Sequence, residues 1–175
     1  MPIILPEALF QEVDWCQLLA SIIFHMNQKY WTSPEGLERG SFLYSELRLA
    51  IAALSLFLGG VPTVRYFLPG AGLFSFITLG LSLAWILSGL ASVYLLYRYT
   101  IAGNKLFGKK DIKDAVAFFV VVISGLNLGV TGATGFNAGM SILSGYPVFV
   151  VTGVIYLAAG AYLYTRWAGN GKKIF

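Results

Sequence analysis

From Ala71 to Tyr97 the chain carries no charged residue. A helix needs about 20 apolar residues to cross the ~30 Å hydrocarbon core of a bilayer, and this run exceeds that length. Similar stretches precede and follow it, and a soluble domain of 175 residues has no core large enough to bury them all. Composition points the same way: 57% of the residues are hydrophobic and 11% charged, far from a soluble mixture. The expected fold is all-α, a polytopic membrane protein built as a four-transmembrane-helix antiparallel bundle with an N-terminal amphipathic helix.

Hydropathy and helix-breaking residues place the spans near residues 47–66, 71–97, 115–135 and 147–167. The first (LRLAIAALSLFLGGVPTVRY) is expected to close at Pro62, which lacks an N–H and disfavours helix at the residue before it. Asp114 suits the positive N-terminus of the third span, and Pro147 suits the first turn of the fourth. Short connections at 67–70 and 137–146 imply antiparallel neighbours.

All but one of the twelve Lys and Arg residues fall on one side of such a bundle, the exception being Arg65. Under the positive-inside rule both termini and the 98–114 loop are then cytoplasmic, in a plasma (inner) membrane. Tyr44, Tyr94, Tyr97, Tyr99, Tyr162, Tyr164 and Trp167 gather at the same boundary, where a ring with a polar tip is well accommodated.

Residues 1–46 read as a separate cytoplasmic-side region. Leu5, Leu9, Val13, Cys16, Ala20 and Ile23 recur at steps of three and four, which predicts an amphipathic helix over 6–31. Its polar face is acidic, through Glu7, Glu12 and Asp14, so docking on protein suits it at least as well as lying on lipid. It has neither a basic leader nor a small-residue cleavage site and does not read as a signal peptide. The following TSPEGLERGS reads as a turn-rich linker.

Small residues at every fourth position mark two faces: Gly80, Ala84, Ser88 and Ser92 on span two, and Gly125, Gly129 and Ala133 on span three. Helices in lipid associate by close packing, so these stripes are expected to form a seam between the two spans. The polar residues nearby, Asn127, Thr131 and Asn137, read as interhelical hydrogen-bonding groups; the functional alternative is a narrow polar path along Ser124, Asn127, Thr131 and Thr134. Trp85, in the middle of span two, needs a partner for its indole N–H or stacks on a ligand. Lys105, Lys109, Lys110 and Lys113 are candidates for anionic lipid headgroups, although topology alone calls for them.

With the first span beginning at Leu47, Glu46 and Arg48 stand at its entry, and no ionisable residue is expected deep in any span. That disfavours ion pumps and proton-coupled carriers, which use intramembrane charge. His25 is the sole histidine and Cys16 the sole cysteine, so one chain offers no two-His haem site, no zinc set and no internal disulfide. No catalytic residue, metal site or cofactor is evident. The expected partners are the lipid bilayer and other membrane subunits or a second copy, with no nucleic acid.

The function expected from these features is a non-catalytic subunit or scaffold of a larger membrane complex. The alternative is a small quinone-associated redox subunit, whose Tyr, Trp and Arg side chains would line a lipid-accessible pocket; a passive channel ranks third. The stretch LRLAIAALSLFLGGVPTVRYF resembles the first span of small four-helix proteins of the DoxX type, some of which are quinone-linked. An apolar span opened by an arginine is a common pattern, and no kinship is drawn from it.

Overall fold

The computed structural model describes residues 33–62, 74–142 and 145–175. The amphipathic helix expected over 6–31, with Cys16 and His25, lies outside them. The described residues form five α-helices and contain no strand: α1 Pro34–Phe57, α2 Phe74–Ile101, α3 Ile112–Thr134, the short α4 Ala138–Ile142 and α5 Tyr146–Gly169. The four long ones are apolar enough and long enough to cross a membrane.

The first helix corrects the sequence reading. It starts at Pro34 and ends at Phe57, where residues 47–66 were expected to be the span and residues 1–46 a separate region ending in a linker. The start is chemical: Ser33 Oγ accepts from the Gly36 N–H at 3.1 Å, and Pro34 opens the helix, where a missing N–H costs nothing. The end is set by Gly59 and Gly60 at φ of 80° and 82°, with the Gly60 N–H reaching back to Ser55 O at 2.8 Å. Pro62 therefore lies beyond the helix rather than closing it. Glu46 and Arg48 consequently belong to the interior of α1, not its entry.

Elsewhere the caps are local. Asp111 accepts from the Lys113 N–H at 2.9 Å at the start of α3, and Gly135, at φ 75°, ends it with its N–H on Thr131 O. Between α2 and α3 the chain turns tightly, with Leu106 and Lys109 exchanging two backbone bonds of 2.9 Å.

Contacts order the four long helices alternately up and down. Arg98, late in α2, pairs with Glu38, early in α1; Arg166, late in α5, pairs with Asp114, early in α3. The closest approach joins α2 and α3. A methyl group at Gly129 would lie 2.6 Å from the Gly89 Cα, and one at Gly132 would lie 2.7 Å from Ser82 O, so these backbones touch. Ser92 meets Gly125 one turn further along.

Packing is uneven along the helices. The buried apolar cluster comprises Phe42, Leu49, Leu95, Ala117, Phe118, Val121, Val122, Ala159, Leu163 and Trp167, joined by Leu106, Phe107 and Ile174. All but Leu49 and Ala159 lie toward the end of the helices that carries the basic loops. Ile174 is held there by its carbonyl, which accepts from the Phe107 N–H at 2.6 Å. The opposite half contributes almost nothing to this core.

Candidate functional site

That opposite half holds a cavity of about 840 Å³. Its walls come from all four long helices: Ile51 and Leu56 of α1, Leu81 and Trp85 of α2, Leu128 and Thr131 of α3, Phe149 and Tyr156 of α5. Gly60, Pro62, Gly135, Asn137, Gly139 and Met140 surround the end remote from the core. At the other end lie Tyr44, Arg48 and Ser124, above the packed cluster.

Among the described residues, Arg48 is the one charged residue of the lining, which includes no carboxylate. It is 7% exposed. Nη1 donates to Ser124 Oγ at 2.9 Å and Nη2 to Val121 O at 2.9 Å, while Nε has no partner. A guanidinium offers five N–H donors, so two neutral acceptors leave it under-satisfied. Among the described residues the ion pairs are Arg98 with Glu38 and Arg166 with Asp114, and Arg48 is in neither.

Glu46, two residues earlier, attracts Arg48 electrostatically but forms no ion pair with it. A separation of two residues turns the helix by about 200°, and Glu46 lies against α5, its Oε2 2.9 Å from where a methyl group on Gly160 would stand. The Arg48 guanidinium instead lies against α3, 3.2 Å from the corresponding position at Gly125. Two small residues therefore make the room that one buried and one half-buried ionisable side chain occupy.

The walls are held in place by local bonds. Tyr44 donates to Ala84 O at 2.6 Å, tying α1 to α2. Asn127 Nδ2 donates to Asn137 Oδ1 at 2.9 Å, and Asn127 Oδ1 accepts from the Gly139 N–H at 2.9 Å. This two-way bridge fastens α4 and the 135–140 turn to the side of α3. Thr131 spends its hydroxyl proton on Asn127 O at 2.8 Å, and Ser55 on Ile51 O at 3.0 Å.

Trp85, Asn127, Thr131 and Asn137, singled out as polar intramembrane candidates, all line the cavity. The small-residue positions separate into several environments. Ser88 and Ser92 are fully buried, and Gly125 and Gly129 lie against α2. Ala84 faces the cavity, whereas Gly80 has nothing within 4 Å of its Cβ position and Ala133 is exposed. The seam thus runs through Gly89 and Gly132, which the every-fourth-residue pattern passed over. Lys105, Lys109, Lys110 and Lys113 are exposed around the α2–α3 turn, remote from the cavity.

Sequence reasoning missed Arg48 because the span was begun at the first uncharged window. The signal that could have found it is Ser33-Pro34-Glu35, an N-cap followed by a first-turn proline and an acidic residue, which starts the helix early enough to carry Arg48 inside it. No family model, curated protein or solved structure matches the chain.

Proposed function

We propose that the chain is an integral membrane binding subunit that receives a small amphipathic molecule in the cavity between its four long helices. In this reading the helices cross the bilayer as an antiparallel bundle, with the basic ends and both termini on the cytoplasmic side of a plasma membrane. Arg48 lies nine residues before the end of α1, hence ~14 Å along the helix axis from that end and near the middle of the hydrocarbon. The observation that carries the proposal is this buried, unpaired guanidinium at the floor of an apolar cavity. An ionisable side chain at such depth is costly and marks a functional site by default.

The volume falls in the range of small-molecule sites, ~300–1,000 Å³, and the lining has their composition: mostly apolar, with a few convergent polar groups. A scaffold gains nothing from a cavity of this size in its middle. A pore would continue to the opposite face, where Phe42, Phe118, Leu163 and Trp167 fill the interior. Of the readings open to the sequence, the pocket-bearing subunit therefore has the most support, with any reactive centre placed on a partner polypeptide.

The test is occupancy. The full chain in lipid nanodiscs should bind an environment-sensitive amphiphilic dye saturably. Ala52→Phe combined with Leu128→Phe, which fills the lumen from two walls, should reduce that binding at least tenfold while the protein still unfolds cooperatively. Unchanged binding by the filled variant would sink the proposal.

A further inference from the structure

We infer that the molecule held in this cavity is a single-chain amphiphile with one carboxylate, seated head-down on Arg48 with its tail toward the 135–140 turn. The inference rests on the binding reading above and adds the ligand's charge, headgroup and orientation.

Charge is the first constraint. Among the described residues the lining carries one cation and no acid, and the nearby Glu46, which attracts Arg48 without pairing with it, is turned toward Gly160. A lone cation taken out of water loses its hydration, and the neutral oxygens of Ser124 and Val121 return hydrogen bonds but no opposite charge. A neutral occupant, a quinone included, could accept from a guanidinium N–H yet would bring no opposite charge of its own. A monoanion cancels it. A phosphate monoester, at about −1.5 to −2, would bring more charge than one arginine neutralises.

Geometry supplies the headgroup. Arg48 still has one proton on each Nη beyond those used by Ser124 and Val121, while its Nε is buried without a partner. A planar fork of this kind matches a planar carboxylate with two parallel bonds. Tyr156 and Thr152 add hydroxyls to the wall. Orientation follows from where the apolar wall lies: Ile51, Leu56, Leu81, Leu128 and Phe149 extend from the floor toward the mouth and suit an alkyl chain, whereas the polar groups nearest the mouth, Asn127 and Asn137, are already bonded to one another.

The experiment is displacement of the amphiphilic dye in phosphatidylcholine nanodiscs at pH 8, with ligand expressed per lipid. Dodecanoate should displace it at least tenfold more effectively than dodecanol. Arg48→Met should abolish that preference, weakening dodecanoate displacement at least tenfold more than dodecanol displacement, and Arg48→Lys, which keeps the charge without the fork, should retain part of it. The lysine variant also decides the matter if the methionine variant fails to fold: loss of all preference in a folded lysine protein would refute charge pairing.

Equal displacement by dodecanoate and dodecanol would overturn the ligand class while leaving the binding subunit standing. Stronger displacement by dodecyl phosphate than by dodecanoate would overturn the carboxylate assignment. A preference for dodecanoate that survives Arg48→Met would remove Arg48 as the receptor. Failure of every amphiphile, with no saturable dye binding to begin with, would instead defeat the binding reading itself.

Discussion

Two buried charges are treated very differently by this protein. Asp114 is fully buried but fully answered: Arg166 reaches it with Nε at 2.9 Å and Nη2 at 2.8 Å, and Tyr162 donates to Oδ1 at 2.8 Å. It fastens the start of α3 to the end of α5. Arg48, by contrast, has two neutral acceptors and an open Nε. Asp114→Ala should therefore cost about 1–3 kcal/mol, at the lower end of what a buried partner loss costs because the Arg166 side chain is 37% exposed and can rehydrate. Tyr162→Phe, which leaves the bidentate pair in place, should cost about 0.5–1.5 kcal/mol. Thermal unfolding in a mild detergent gives the comparison; a larger loss from Tyr162→Phe than from Asp114→Ala would mean that the hydroxyl, not the ion pair, holds this corner.

At the scale of elements, the seam between α2 and α3 depends on glycine at a few positions only. Gly129 faces the Gly89 backbone, so any side chain there must separate the helices, whereas Gly80 faces open space. The same substitution at the two sites isolates packing from helix propensity. Gly129→Leu should destabilise by at least ~1–3 kcal/mol through overpacking, and Gly80→Leu should be neutral or gain up to ~1 kcal/mol from replacing a mid-helix glycine. Equal tolerance at both positions, measured by unfolding in bicelles, would show that the backbone contact does not hold the pair together. The α1 helix is fixed differently, by Ser33 at one end and by Gly59 and Gly60 at the other. Its position sets where Arg48 stands, so the cavity depends on those caps as much as on its own lining.

For the whole molecule, the division into a packed half and a half with a cavity suggests a division of labour. The basic-end half carries the ion pairs, the aromatic cluster of Phe42, Tyr99, Phe118 and Trp167, and the docked Ile174. The other half holds the cavity. If the basic ends face the cytoplasm, single cysteines in a Cys16→Ser background should report it. Ser141→Cys, exposed near the cavity mouth, should react with an impermeant maleimide in intact cells, while Asn104→Cys and Asn170→Cys should react only after permeabilisation. Labelling of Asn104→Cys or Asn170→Cys in intact cells would invert the orientation and put the mouth on the cytoplasmic side.

By itself the sequence determined the class of fold. Charge-free stretches from Leu49 to Val64, Ala71 to Tyr97, Ala115 to Thr165 with only its glycines and Asn137 to interrupt it, permit long apolar helices and little else. Asp111, Gly135 and Pro147 announced ends of α3 and α5 because caps are local chemistry between residues a few positions apart. The same kind of local signal at Ser33-Pro34 was outweighed by hydropathy, which counts Glu35, Glu38, Glu46 and Arg48 as exterior and cannot see that Glu38 meets Arg98 or that Arg48 meets Ser124. Those partners are 60 and 76 residues away, so they exist only once the helices have packed. The cavity is a further step removed. Trp85, Asn127, Thr131 and Asn137 could be named from the sequence as polar or aromatic residues in an apolar setting, but whether they would fill the interior or surround a space depended on helix separations set by Gly89 on Gly129 and by Tyr44 on Ala84, quantities that belong to pairs of helices and to neither alone.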